Sequence, residues 1–182
     1  SRPAAHDAID VDTRHHRVRK RAPISLDLSG IAKGFGVDEL ARVMNAFGIT
    51  DWLVGIDGEM RARGAKPDGS PWAVAHERPT PGLREPMGVL ELTNIAVATS
   101  GTYRHFHDVG GRRVSHTMDP RLGKPLDNPI ASVTVLAPTC MTADAWATAL
   151  MVGGLAQGLE LARRAGVEAI FVLDDGTIHG VQ

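Results

Sequence analysis

Hydrophobic and polar positions alternate in short runs along much of the chain, and glycine, proline or aspartate separates the runs. That rhythm predicts more strands than helices. Ile24–Leu28 reads as a strand that breaks at Ser29-Gly30. Beyond it, Val37, Leu40, Ala41, Met44 and Phe47 fall at helical spacing, and Gly48 supplies the stop. Strands are expected at Asp51–Ile56 and Glu59–Arg63 around an Asp57-Gly58 turn, at WAVAHE after the Lys66-Pro67-Asp68-Gly69 turn, and once or twice within Gly88–Thr99. The run ASVTVLA (131–137) lacks polar alternation and reads as a buried strand. Two helices follow it. The first starts near Thr142 with Trp146, Ala147, Leu150 and Met151 on one face, and the second spans Leu155–Ala165 and closes at Gly166. EAIFVL, an Asp175-Gly176 turn and a final short strand read as a hairpin.

The strands outnumber the helices and neighbours are hairpin-connected. This predicts one α+β domain over residues 1–182 with a mixed, mostly antiparallel sheet packed with helices. Residues 1–22 carry Arg14, Arg17, Arg19, Lys20 and Arg21, but Asp7, Asp10 and Asp12 lie close by. An edge strand with Val18 turned inward is favoured there over an anion-binding arm. Residues 101–130 read as loop-rich.

Composition narrows the function classes. The chain has 182 residues, a net charge of −1, 20 glycines, 11 prolines and one cysteine. The balanced charge argues against a protein built to neutralise nucleic-acid phosphates. A lone Cys140 excludes an intrachain disulfide framework and a cysteine-rich zinc site. No apolar stretch approaches the length of about 20 residues needed for a membrane span. The opening SRPAAHDAID carries no visible targeting signal.

Three segments carry possible chemistry. In DLSGIAKGFG (27–36), a Gly-containing turn opens a helix with Lys33 beside it, which suits an anion; neither a Walker nor a dinucleotide spacing is present, and on residue types alone a plain turn capped by Asp27 or Ser29 is favoured. In TADAWAT (142–148), Asp144 and Thr148 lie four positions apart and share one helix face. Their oxygens suit a hard cation such as Mg²⁺, against an equally weighted capping role for Asp144. In SHTMDPRLGKP (115–125), His116 stands on a turn-rich loop stiffened by prolines, either as an acid or base or as an incidental surface histidine. The HFH pattern at His105 and His107 hints at a metal pair, discounted for want of a third ligand.

Taken together and in order, DLSGIAKGFGVDEL, WLVGIDGEMRARG, KPDGSPWAV, AVATSGTYRHF, SHTMDPRLGKP and TADAWATALMVGG resemble the ApbE-type family of FAD:protein FMN transferases. The resemblance spans nearly all of residues 24–154 and implies an ApbE-like, T-fold-related α+β fold. It implies that Asp27, Lys33 and Met118 contact FAD, that Gly30 and Ala147 (through carbonyls), Asp144 and Thr148 hold Mg²⁺, and that His116 and Asp144 serve catalysis. The implied reaction moves FMN from FAD to a threonine or serine hydroxyl of an acceptor protein with release of AMP. FAD pyrophosphatase activity, or FAD binding without turnover, are the alternatives. The resemblance further implies an exported bacterial protein, periplasmic or lipid-anchored at full length, of which this chain is the C-terminal portion.

The pattern departs from the family in places. Asp57-Gly58-Glu59 replaces a Gly-Gly-Asp turn and is expected to add negative charge near the cofactor. Thr102 replaces an acidic residue, and the family's N-terminal segments, which contribute to the flavin and adenine pockets, have no counterpart here.

Overall fold

The structure, a computed structural model, describes residues 5–103, 106–109 and 112–181. A single helical turn, α1 (Ala5–Ala8), leads into β1 (Ile9–Asp12) and β2 (Arg17–Lys20). Next come α2 (Ser29–Ala46), β3 (Trp52–Ile56), β4 (Glu59–Arg63), β5 (Trp72–Glu77), β6 (Pro86–Leu92) and β7 (Ala96–Gly101). Four short strands, β8 (Phe106–Val109), β9 (Arg112–Ser115), β10 (Met118–Asp119) and β11 (Lys124–Pro125), precede the long β12 (Ile130–Ala137). α3 (Cys140–Ala165), β13 (Glu168–Leu173) and β14 (Ile178–Val181) end the chain.

Six strands form one antiparallel sheet in the order β14-β13-β12-β7-β4-β3, so the α+β class read from the sequence is correct. The apolar run of β12 has its explanation in burial on both faces. Val133, Val135 and Ala137 pack with Leu150, Met151 and Phe171 beneath α3. Leu136 turns the other way and joins Val74, Leu92 and Val97 beneath the β5–β6 hairpin. The layers are therefore helices, sheet and hairpin. Thirteen buried residues in the first cluster against four in the second make the helix side the principal core. Each large apolar side chain buried there stabilises the fold by about 1.5–3 kcal/mol.

Two devices fix the crossing of α2 on α3. A Cβ on Gly34 would lie 2.4 Å from the Cys140 carbonyl oxygen, so only glycine permits this approach. Asp38 of α2 caps α3 from outside: Oδ1 accepts the Cys140 N–H and Oδ2 the Met141 N–H, both at 2.9 Å.

The structure corrects several expectations. Residues 24–28 form no strand. The Asp27 carboxylate accepts the Ser29 N–H at 2.8 Å, and the helix begins at Ser29 instead of after a glycine break. On α2 the buried stripe is Gly34, Val37 and Ala41, set by the close approach to α3 and the sheet, whereas Leu40 and Phe47 are exposed. Val18 is 62% exposed, because β1 and β2 form a two-stranded sheet of their own instead of an edge of the main sheet. The helix expected from Thr142 starts at Cys140, with Thr139 as cap. It breaks at Gly154 (φ 74°, ψ 172°), so the expected pair of helices is present. His105 and the His107 side chain lie outside what the structure describes.

Candidate functional site

A cleft of about 1230 Å³ brings the predicted segments together. It opens between the start of α2, the β3–β4 turn, the β5–β6 hairpin, the end of β7, the loop at 116–120 and one side of α3. Asp27, Gly30, Lys33, His116, Met118, Asp144 and Thr148 all line it. Three segments far apart in the chain thus meet around one cleft. Ala147 does not line it; its side chain is fully buried beneath α3.

The α2 wall is built by a helix start. The exposed Asp27 also accepts the Ser29 hydroxyl, at 2.5 Å, and these two Ser29 bonds hold its carboxyl below the usual carboxylate range. Just inside the helix, Lys33 Nζ donates to Glu59 Oε1 at 2.7 Å. Glu59 reaches that position because the two-residue β3–β4 turn takes positive φ at both Asp57 (47°) and Gly58 (105°), the geometry a tight hairpin requires. Asp57 lines the cleft too, so the departure from Gly-Gly-Asp does bring extra negative charge to it. The Glu59 side chain is 2% exposed, and its Oε2 has no hydrogen-bond partner among the described residues. Burial pushes its carboxyl up, further than the Lys33 ammonium pulls it down.

The α3 wall carries Asp144, which is buried and accepts the Gly34 N–H through Oδ2 at 2.9 Å. Lying beyond the first turn of a helix that starts at Cys140, it is no cap for α3. Burial raises its carboxyl, while the Gly34 N–H and Lys33 pull the other way. One turn on, the Thr148 hydroxyl lies 3.0 Å from the Ser100 hydroxyl. Gly30 closes on the same spot: a Cβ there would stand 3.1 Å from Thr148 Oγ1. Carboxylate, hydroxyls and helix-start backbone converge around a cradle that a side chain at position 30 would fill.

The loop carrying His116 and Met118 is held by its neighbours. Asp119 is buried; Oδ1 accepts the Arg121 N–H at 2.8 Å, Oδ2 pairs with the Arg121 guanidinium at 3.0 Å, and this guanidinium holds the carboxyl below its ordinary value. The Thr117 N–H donates to Ser115 Oγ at 3.0 Å, and the Leu126 N–H to the Thr117 carbonyl at 2.9 Å. Across the cleft, His76 of β5 contacts Thr134 Oγ1 at 3.0 Å, and Thr134 contacts Thr99 at 2.8 Å. Burial lowers the His76 imidazole pKa.

Sequence reasoning assigned no role to Glu59, Ser100, His76 or Asp38. Ser100 and Glu59 stood within quoted motifs, but only the fold aims them at Thr148 and Lys33. Nothing in the sequence distinguishes His76 from the other histidines.

Electrostatics decide what such a cleft can take. Six carboxylates line it against two fixed cations, Lys33 and Arg84. That balance repels an anionic nucleotide unless a cation enters with it. Among the described residues, no cluster of three or more His, Cys, Asp or Glu side chains is arranged around a metal position. The donors around Asp144, its carboxylate with the Thr148 and Ser100 hydroxyls, are all oxygen, a set whose chemistry suits a hard cation such as Mg²⁺ better than zinc.

An α+β domain with an acid-lined, oxygen-rich cleft is the class this fold and site define. The sequence profile of the ApbE family matches residues 2–171, and the chain belongs to that family. It is 37% identical over 163 residues to the FAD:protein FMN transferase of Salmonella typhimurium, covering 89% of this chain and 47% of that protein. The crystal structure of Pseudomonas stutzeri flavinyl transferase ApbE in its apo form superposes with a TM-score of 0.81 at 37% identity, covering all of this chain and 60% of that one. The ApbE protein of Thermotoga maritima gives 0.86 at 29% identity, over 98% of this chain and 58% of that one. The chain spans about half the length of the curated relatives it matches. Among the described residues, no helix is long and apolar enough to cross a membrane.

Proposed function

We propose that this chain supplies the phosphate and metal end of a Mg²⁺-dependent FAD:protein FMN transferase. The observation that carries the reading is the convergence of Gly30, Lys33, His116, Asp144 and Thr148 on one cleft. Asp27 and Lys33 contact FAD, with the Lys33 ammonium on the diphosphate side near the α2 start, where helix N–H groups favour anions. Met118 lies against the flavin nucleotide. Asp144, Thr148 and the carbonyls of Gly30 and Ala147 hold Mg²⁺, which when bound neutralises charge on the diphosphate. The buried setting of Asp144 strengthens that hold, because a carboxylate out of water binds a cation in a lower dielectric.

In the reaction, an acceptor serine or threonine hydroxyl forms a bond to the FMN phosphorus. The bond from that phosphorus to the oxygen bridging it to AMP breaks, and AMP leaves with that oxygen. His116 takes the hydroxyl proton or orients the phosphate, from a loop fixed by Asp119 and Arg121. Export to the periplasm, with lipid anchoring at full length, belongs to the same reading.

The test is to incubate the full-length protein with FAD, Mg²⁺ and an acceptor protein. AMP release with a fluorescent flavin band on the acceptor is expected. FMN and AMP appearing without acceptor modification would replace transfer by FAD hydrolysis, and FAD binding without any AMP would leave a binding domain.

A further inference from the structure

We propose that Glu59 is the positioning residue for Lys33: it pins the ammonium at one place on the cleft wall, where a diphosphate group meets it. The inference rests on the phosphate reading of Lys33 given above and goes beyond it, since that reading assigns Glu59 nothing.

Two ion pairs tie β4 to α2, and they differ in what they face. Arg61 donates to Asp38 at 2.8 Å, and Asp38 also caps α3, so this pair holds the helix crossing. Glu59, two residues earlier on the same strand face, receives Lys33 at 2.7 Å, and both residues line the cleft. The Lys33 side chain is 40% exposed while that of Glu59 is 2% exposed. One end of the pair is therefore anchored in the protein and the other stays within reach of a ligand. A lysine stem is long and flexible, and an unanchored ammonium would spread over many positions.

A role in stability explains this pair poorly. A buried ion pair contributes little net stability, because desolvation offsets its attraction. Here, among the described residues, Oε2 has no hydrogen bond that would offset the burial of the charge. A buried carboxylate whose ion-pair partner among the described residues is Lys33 is better suited to place that partner. Among the described residues, Asp144 of α3, Tyr103 after β7 and the buried Cys140 also interact with Glu59, and none of them supplies a cation.

The experiment measures Kd for FAD and for ADP in the presence of Mg²⁺, together with kcat for AMP release, in the full-length protein. Glu59→Leu frees Lys33 and removes a negative charge from an acid-rich cleft. It should lower kcat by about 10- to 100-fold while leaving the Kd for either diphosphate unchanged or tighter. Glu59→Gln keeps an acceptor at the Oε1 position and should recover most of kcat. Glu59→Asp keeps the charge but falls a methylene short, and should be slower than Glu59→Gln. Wild-type kcat in Glu59→Leu, or ADP binding weakened in parallel with kcat, would overturn the inference. Should Glu59→Leu fail to fold, a Glu59→Asp variant faster than Glu59→Gln would overturn it equally. Wild-type protein that binds ADP but not FAD would overturn the flavin reading and take the inference with it. FAD turnover insensitive to Glu59 would overturn the inference alone.

Discussion

The Asp144 carboxylate accepts the backbone N–H of Gly34 at 2.9 Å, which joins two helices across 110 positions of sequence. The contact exists because Gly34 has no side chain to hold the helices apart. Gly34→Ala would drive a Cβ to 2.4 Å from the Cys140 carbonyl oxygen, a backbone atom that cannot swing aside. The expected loss is about 3 kcal/mol, or roughly 6–12 °C in Tm. A thermal melt checks it, and a variant as stable as wild type would contradict the close crossing.

The same hydrogen bond separates two roles of Asp144. Asp144→Asn retains an oxygen for the Gly34 N–H but loses the charge, so the fold should hold while metal-dependent AMP release falls at least about 100-fold, equivalent to about 3 kcal/mol of barrier. Asp144→Ala should lose the activity too and, in addition, leave a buried N–H unsatisfied at a cost of about 1–3 kcal/mol. An unchanged rate in Asp144→Ala would remove Asp144 from the metal site.

Asp38 organises the neighbouring end of the crossing without lining the cleft. Asp38→Ala uncaps the Cys140 and Met141 N–H groups and strips the half-buried Arg61 of its partner. A stability loss of about 2 kcal/mol is expected in urea unfolding. Full-length protein should show the metal dependence of turnover intact at a temperature where the variant stays folded.

How much of this was legible in the residues depends on distance along the chain. β12, the two halves of α3 and the two hairpins β3–β4 and β13–β14 follow from local pattern, because burial on two faces, Gly154 and Asp-Gly turns all act within a few residues. The site was legible only as separate pieces. Asp144 with Thr148 reads equally as a cap or a ligand pair, and the Lys33 turn reads as an ordinary helix start. Joined motifs in order carried the family. The Glu59–Lys33 pair and the Ser100–Thr148 contact depend on the packing of β4 and β7 against the helices, which no local pattern encodes. The error at residues 24–28 has the same origin: ISLDL alternates like a strand, yet no neighbouring strand pairs with it.

His76 makes acid stability a test of the hairpin layer. Its pKa is depressed by burial below the ordinary 6.5, so the unfolded chain binds a proton more readily than the folded one. Its contribution is present above about pH 6.5 and is lost as pH falls from there through the depressed folded value. In His76→Gln, which can still meet Thr134, Tm should fall less steeply than in wild type between pH 6.5 and 5. Parallel curves would show that His76 is not buried neutral against Thr134.

The central claim is that Asp144 and Thr148, closed by Gly30, form one cation site beside the nucleotide phosphates. The most direct measurement is anomalous diffraction from crystals of the full-length protein grown with FAD and Mn²⁺ in place of Mg²⁺. The account predicts an anomalous peak at bonding distance from an Asp144 carboxylate oxygen and Thr148 Oγ1, with the FAD diphosphate against Lys33. Ordered FAD with the peak elsewhere, or with no peak at these two residues, would contradict it.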